Sequence, residues 1–497
     1  MEMQFDRASV AYLKKLTGQL RSQEQTLEVR LPDGMPDIGR VLGAWGQVIV
    51  RSKEWNGDAM TVSCGVMAWV LYTPEDEEGV RSVESWLPFA MKWELPDTRY
   101  DGKILVSCLL RNVDARSISA RKLMVRASLS ALGEAWMPDK ANVAIPESLP
   151  EDVELLMAEY PLLLPREAGE KAFSLEEELT LPDGVKAEKL LYYSFQPEIV
   201  DKKVMAGKVV FRGVGRLHML CRGENGKLMP LDYELPFSQY GDLDGEYDGE
   251  PTVSLCPCVT GLDLSVGENG LLQVKAGLLG QYVLCERTVL SLAEDAYSPR
   301  RSIVPIVEEL RLPAVLEQTA RTIHAEQTAQ TEVNQVVDTI FLPVYSQPER
   351  TASGLRFPLP GQFQTLYYDG EGKLGGAAVT WEGEWEMNAD ENAAIDMYLQ
   401  STGNPQAVAG MDLCLRGELS AAVTVTAGQG LPMIVGMEMG ELAKPNADRP
   451  SVILCRKGDR RLWDIAKQTG STVAAIKTAN CLEEEPEQDR VLLIPVP

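Results

Sequence analysis

The residues with the clearest potential for recognition chemistry lie in the last tenth of the chain. A basic turn leads into an apolar pair, and an Asn and a Leu follow after two short helix-like stretches: Lys457, Gly458, Asp459, Arg460, Arg461, Leu462, Trp463, Asn480 and Leu482. Arg and Trp are frequent anchors of protein interfaces. We therefore predict these nine residues as a partner- or glycan-binding site. Packing of Trp463 between the two helices is the competing interpretation of that residue.

The other reactive side chains form no recognisable catalytic pattern. The chain has two histidines, His218 and His324, 106 positions apart. His218 stands in an apolar strand-like run, which favours a packed residue over a general base. The phosphate-binding pattern G-x-x-x-x-G-K-[ST] and the nucleophile pattern G-x-S-x-G are both missing, and no carboxylate pair is singled out. We predict a protein that is not an enzyme, hydrolyses no ATP and carries no cofactor.

Two stretches are candidates for metal binding. Asp242, Asp244, Glu246 and Asp248 alternate along an acidic loop, but a calcium loop starting at Asp244 would need a Glu where Leu255 stands. The pair Cys256 and Cys258 has no further ligand cluster nearby in the sequence. We predict a solvated loop, structural thiols and no metal site.

Composition excludes several classes of protein. The 497 residues include 48 Lys+Arg against 73 Asp+Glu, a net charge of −25, which disfavours nucleic acid and anionic membranes as partners. No apolar run approaches the roughly 20 residues of a membrane span. The nine cysteines are scattered and the first residues lack a secretory pattern, so we expect a cytoplasmic protein with reduced thiols and no membrane insertion.

Most of the chain has the period of β-strands, and it repeats. The spacing of Val10, Leu13, Leu16 and Leu20 predicts an N-terminal helix over residues 1–24. Thereafter LEVRLPDG at 27–34 returns as EELTLPDG at 177–184 and, more faintly, as EELRLPAV at 308–315. The strand–turn–strand segment at 70–89 returns at 219–237 and 365–374. The fold class predicted is mainly β, with tandem β-sandwich-like repeats and a small α+β module at the end.

The repeats and the proline-rich stretches between them predict the domain limits. After the helix at 1–24 we place β-domains at 25–136, 171–300 and, more divergent, 301–439. Residues 137–170 are predicted as a linker with a short helix near 151–159, and 440–450 as a second linker. The polar segment 317–340 of the third copy is compatible with a helix.

The C-terminal module, 451–497, has the order strand, helix, helix, strand. Gly470 is predicted to end the first helix and Thr472 to cap the second. Together with Gly458-Asp459, Leu462-Trp463, Ile465-Ala466, Asn480 and Leu493-Ile494-Pro495, this order closely resembles the LysM module. The tandem repeats, with their LPDG and LPFSQ segments, in front of such a module resemble the SPOCS-domain proteins of clostridia, in particular spore-coat morphogenetic proteins of the SipL type.

The resemblance implies a function and a compartment. The family is implied to work in the mother-cell cytoplasm, where its LysM module docks a coat morphogenetic ATPase of the stage IV sporulation protein A type so that coat proteins encase the forespore. LysM modules in general bind peptidoglycan and other N-acetylglucosamine polymers, which is the alternative function. This chain departs from the glycan-binding pattern in its doubly basic Arg460-Arg461 and its acidic loop 482–489. We therefore expect a protein partner and a non-enzymatic scaffold.

Overall fold

The computed structural model confirms the mainly β class. It describes residues 2–96, 102–182, 187–223, 225–267, 271–352, 354–389, 392–442, 450–455, 461–486 and 488–495, leaving aside the side chains of 187 and 188. Over these ranges the chain forms 22 strands and two short helices. Neither helix has the length and apolarity needed to cross a bilayer.

The first unit of the fold, repeat 1, has six strands. They are β2 (Asp6–Arg30), β3 (Ile38–Asn56), β4 (Ala59–Pro74), β5 (Arg81–Glu94), β6 (Lys103–Ser119) and β7 (Lys122–Ile145). Strands β3, β4 and β5 form an antiparallel meander, and β2, β7 and β6 form a second sheet in that order. The two sheets pack face to face over one apolar core.

Repeats 2 and 3 have the same topology. Repeat 2 consists of β8 (Glu154–Leu179), β9 (Ala187–Met205), β10 (Lys208–Gly223), β11 (Leu228–Asp242), β12 (Thr252–Val266) and β13 (Leu272–Tyr297). Repeat 3 consists of β14 (Ile303–Ala329), β15 (Val333–Pro343), β16 (Glu349–Thr351), β17 (Gly354–Asp369), β18 (Leu374–Met387), β19 (Ala394–Val408) and β20 (Leu413–Met439). Each has a meander and a sheet in which the first long strand pairs with the last. The short strand β1 (Glu2–Gln4) pairs with β20 and ties the start of repeat 1 to repeat 3.

The long sheets extend beyond their sandwiches as two-stranded arms. Residues 6–14 pair with 137–145, 154–164 with 286–297, and 303–314 with 427–439. The three arms meet in one apolar cluster that includes Val143, Leu292 and Met433. A second cluster joins the three meanders. The repeats therefore share cores and form one body.

Several sequence predictions about the body are wrong. Residues 6–30 are a strand rather than a helix, because β7 supplies backbone partners along the whole segment. The helix-like spacing of Val10, Leu13, Leu16 and Leu20 arises because these residues pack in four different apolar clusters on both faces of the strand. The predicted linker 137–170 belongs largely to β7 and β8, and its expected helix is a turn followed by a strand. Pro161 and Pro165 are tolerated there because they lie on β8, an edge strand.

The third copy also differs from its prediction. The LPDG segments of repeats 1 and 2 begin just after β2 and β8 end, whereas 308–315 lies inside β14. The polar segment 317–340 is strand in β14 and β15, because β20 and β17 supply its backbone partners. Its polarity reflects a strand with one solvated face.

The C-terminal module consists of β21 (Val452–Cys455), α1 (Leu462–Thr469), α2 (Val473–Asn480) and β22 (Arg490–Leu493). Gly470 ends α1 in the left-handed region at φ 62°, and the Thr472 hydroxyl accepts a hydrogen bond from Ala475 N–H at 3.1 Å. Both helix-end predictions are confirmed. Most of the predicted linker 440–450 lies outside the described residues.

Candidate functional site

The C-terminal module is fixed to the arm of repeat 2 through one face of α1. The indole N–H of Trp463 donates to Asp295 at 2.8 Å, and Lys467 Nζ lies 2.7 Å from the same carboxylate. Burial opposes ionisation of Asp295, but these two donors outweigh it and lower the pKa of the carboxyl group. Tyr297 packs edge-on against the indole and donates its hydroxyl to Ser471 O at 3.1 Å. The module is therefore held in a defined orientation on the body.

These contacts place two predicted site residues in the interior. Leu462 is fully buried and Trp463 is 6% exposed, both in the core of the module. Trp463 is therefore a packed residue, as the competing interpretation expected, but it also packs against the arm of repeat 2 and not only between the two helices. Neither side chain offers a free surface to a partner or a sugar. The prediction of Leu462 and Trp463 as binding residues is therefore wrong for an exposed site.

Asn480 is also a structural residue. Its side-chain amide donates to Leu493 O at 2.7 Å and accepts from Leu493 N–H at 2.8 Å, so it pairs with β22 as a strand would. Leu482 is half-buried against the module's core. Arg461 is exposed, while Lys457, Gly458, Asp459 and Arg460 lie outside the described residues. Binding at Arg461 and at the turn before it stays a prediction.

The acidic loop after α2 folds back onto the start of α1. The Glu485 carboxylate accepts the N–H of Leu462 at 2.9 and 3.1 Å, which satisfies one of the free donors of the first helical turn. Lys477 Nζ donates to Glu483 O at 2.8 Å and holds the same loop. The acidic loop and the start of α1 are thus in contact through a carboxylate of the chain itself.

Among the described residues of the module, the outer face of the β21–β22 hairpin forms an exposed apolar surface. Val452 stands opposite Leu493 and Leu454 opposite Val491, so the four side chains project from the same face. They are 51–58% exposed, whereas Cys455 and Leu492 on the other face are buried. The prediction missed this outer face. The sequence does contain a signal for it. Both strands are apolar at successive positions, and since side chains alternate between the two faces of a sheet, only one of these apolar faces can pack on the helices.

A cavity of about 710 Å³ lies where the three repeats meet. Its walls include edge strands from all six main sheets, namely β3, β6, β9, β12, β15 and β19. Glutamine side chains from neighbouring repeats bond free backbone groups on some of these edge strands. Gln47 accepts from Phe195 N–H at 2.8 Å, and Gln281 bonds both the N–H and the C=O of Val106. These six strand edges therefore face the interior of the body.

His218 lines this cavity and joins repeats 2 and 3. Its Nδ1 lies 2.9 Å from Asp232 and its Nε2 lies 2.8 Å from Asp338. Burial by itself would lower the pKa of His218, but the two carboxylates outweigh it and raise the pKa from 6.5 to about 10. His218 is therefore a charged link between repeats, and its packed position agrees with the sequence prediction.

A second buried charge cluster joins repeats 1 and 3. Lys15 Nζ lies 2.7 Å from Glu134 and also bonds Asp396. Burial, with Glu134 adding to it, raises the pKa of Asp396 to about 6 even though Lys15 acts in the opposite direction. Trp136 N–H donates to Glu134 at 3.0 Å. Every strong donor in the cluster has a partner within the chain, which indicates a structural role.

The acidic loop at 241–250 exposes its four alternating acidic side chains, as predicted for a solvated loop, while its backbone is held by neighbouring carboxylates. Glu167 accepts the N–H of Asp244 at 3.0 Å and the hydroxyl of Tyr247 at 2.9 Å. Within the described ranges, no group of three or more His, Cys, Asp or Glu side chains is arranged to hold a metal ion.

The fold and this module define a mainly β protein of three fused repeats that carries a small α+β module at its C-terminal end. No protein-family model matches the chain, and no curated protein sequence matches it.

Proposed function

We propose that the protein is a non-enzymatic adaptor whose C-terminal module docks a protein partner through the outer face of the β21–β22 hairpin, with the exposed Arg461 of the same module as a further contact. The observation that carries this proposal is the set of four exposed aliphatic side chains, Val452, Leu454, Val491 and Leu493, on one small sheet. The contacts of Trp463 and Lys467 with Asp295 keep that face in a fixed orientation. Pre-organisation of this kind lowers the entropic cost of binding.

The chemistry of the face favours a protein over a glycan. Sugars are recognised by aromatic platforms and by free hydrogen-bonding groups, whereas this face is aliphatic. Trp463 packs against Tyr297, and the Asn480 amide bonds the backbone of Leu493. The carboxylate of Glu485 occupies the start of α1. An aliphatic surface beside exposed charges has the anatomy of a protein interface.

The partner proposed follows from the sequence resemblance. Two features support membership of the SPOCS- and LysM-containing spore-coat proteins. LPDG segments begin beside the ends of β2 and β8, and the terminal module has the order β-α-α-β. On this proposal the partner is the coat morphogenetic ATPase on the mother-cell side of the forespore. Residues 451–497 hold seven basic and seven acidic side chains, so the body carries the whole net charge of −25. On this proposal the body acts as a scaffold for other coat proteins.

The test is direct binding of the purified coat ATPase to the full chain. We expect the double variant Leu454→Ser/Val491→Ser to weaken binding by about 100-fold or more, because each aliphatic side chain buried at an interface contributes roughly 1.5–3 kcal/mol. The matched control is Val304→Ser/Val307→Ser on β14, whose side chains are 59% and 56% exposed against 55% and 58% for the tested pair. This control should bind like the unmodified chain.

The same proteins separate the two candidate functions. The chain is pelleted with purified peptidoglycan and with chitin, and its affinity for the coat ATPase is measured in parallel. The adaptor proposal expects ATPase binding and no retention by either polymer. Retention by the polymers together with equal ATPase affinity of all variants would overturn it in favour of glycan binding.

A further inference from the structure

The central cavity of about 710 Å³ has the size of a small-molecule binding site. Its walls include half-buried aliphatic side chains from all three repeats, Leu109, Leu255 and Ile340. Its exposed lining residues, which include Lys202 on β9 and Asn404 on β19, all belong to repeats 2 and 3. The mouth of the cavity therefore lies between these two repeats.

The two strands at this mouth depart from regular pairing. On β9 the register with β10 shifts at Val200, which has no opposite residue and is 68% exposed. On β19 the register with β20 shifts over residues 403–405. A bulge bends its strand, and bulges are frequent beside functional sites. The bulged segments therefore shape the rim of an opening between repeats 2 and 3.

The strand edges around the cavity favour an apolar ligand over a peptide that adds as a strand. Four of them, β9, β12, β15 and β19, each contribute a proline to the lining: Pro197, Pro257, Pro343 and Pro405. A proline has no backbone N–H to donate. Nearby, the N–H of Phe195 donates to Gln47 at 2.8 Å, and that of Leu399 donates to the Tyr345 hydroxyl at 3.3 Å. Strand addition needs backbone groups that are free to pair, and at these positions they are missing or already bonded.

One cation at the mouth differs from the others in the lining. His218 and Arg216 are each bound by two carboxylates. Lys202, in contrast, has no ion pair or hydrogen bond with any residue that the structure describes, and burial lowers the pKa of its ammonium group.

The register of β9 directs Lys202 inward. It stands opposite Phe211 of β10, which is 1% exposed, and opposite residues of a ladder project from the same face. The ammonium group therefore lies on the inner side of the rim, where a partly dehydrated charge without a partner is unfavourable. An anionic group that enters the mouth would compensate it.

We propose that the cavity binds an aliphatic carboxylate of the fatty-acid class, with the hydrocarbon chain between the three repeats and the carboxylate paired with Lys202 at the mouth. Each methylene group that leaves water for the apolar walls favours binding. The charge of Lys202 selects the head group, because an alcohol has no charge to pair with it and an amine is repelled. This site is separate from the docking face on the C-terminal module.

The test is calorimetric titration of the full chain with decanoate, decanol and decylamine at concentrations where all three are monomeric. These probes share one hydrocarbon chain and differ only in the head group. We expect saturable binding of decanoate and an affinity at least about tenfold lower for the other two, since they lack the charge-assisted bond with Lys202. Lys202→Met, which keeps an apolar stem, should lower the affinity for decanoate by about the same factor.

A neighbouring lysine and a second readout control the assignment. Lys203→Met changes a residue outside the lining and should bind decanoate like the unmodified chain. Circular dichroism verifies that both variants are folded. In the unmodified chain, the imidazole NMR signal of His218, which lines the cavity, should shift on addition of decanoate, while that of the exposed His324 should not.

Four results would each overturn the proposal. They are the absence of saturable decanoate binding, binding of decanol or decylamine as tight as that of decanoate, an unchanged affinity in Lys202→Met, and a His218 signal that decanoate does not move.

Discussion

His218 provides a sharp test of how the repeats are held together. The side chain is 17% exposed and lies between Asp232 of its own repeat and Asp338 of repeat 3. Its pKa of about 10 exceeds the unfolded value of 6.5. A group whose pKa is raised on folding stabilises the fold fully below the unfolded pKa, and this contribution is lost as the pH rises from 6.5 to 10.

The size of the effect follows from the shift. Each pKa unit corresponds to 1.36 kcal/mol, so the charged link contributes up to about 5 kcal/mol below pH 6.5 and about 2 kcal/mol near pH 8.5. We expect His218→Gln to lower the free energy of unfolding by roughly 3–5 kcal/mol at pH 6, because it leaves the buried Asp338 without its cation. The loss should shrink steadily toward pH 10.

Two measurements check this prediction. Denaturant unfolding of both proteins between pH 6 and pH 10 gives the difference in stability, and His324→Gln, whose side chain is 72% exposed, is the control. Because the chain has only two histidines, NMR of the imidazole rings assigns each signal by comparison with that control. A His218 signal that titrates near 6.5, or a stability difference that does not change with pH, would refute the reasoning.

Two further predictions concern the other buried contacts. Lys15→Met should lower the free energy of unfolding by about 3–5 kcal/mol at pH 8, since it leaves Glu134 and Asp396 buried without a cation. Lys275→Met, in a solvent-exposed pair, is the control and should leave the free energy of unfolding nearly unchanged. The loss of stability in Lys15→Met should be smaller at pH 5. The pKa of Asp396 is raised to about 6, so below that pH its protonation favours the folded state. An equal loss at pH 5 and pH 8 would contradict this. Asp295→Asn should loosen the C-terminal module, which limited proteolysis would detect as faster release of the last residues than in Asp263→Asn on β12. Equal cleavage rates would contradict the anchoring role of Asp295.

Local features of the fold could be predicted from the sequence. Strand periodicity identified the mainly β class, and Gly470 and Thr472 marked the helix ends that the structure shows. The extent of β2 could not be predicted in this way. Its apolar residues recur at helical spacing because they pack in four separate clusters, and pairing with β7, 92 to 139 positions later in the chain, decides its conformation. Such tertiary pairing regularly overrides local propensity.

The candidate site shows the same limit. The sequence drew attention to Trp463 because exposed aromatics bind ligands, but the partner of this indole, Asp295, lies 168 positions away. The sequence predicts the C-terminal module as the location of the site, and this location stays a prediction. The orientation of the module, which buries one face and leaves Val452, Leu454, Val491 and Leu493 exposed, depends on contacts between distant segments.

The most direct test of the proposed function is calorimetric titration of the full chain with two ligands, the purified coat ATPase and an N-acetylglucosamine oligomer. The adaptor function predicts saturable binding of the ATPase, its loss in Leu454→Ser/Val491→Ser, and no heat of binding with the sugar. Binding of the sugar alone, or ATPase binding that the double substitution leaves unchanged, would contradict it.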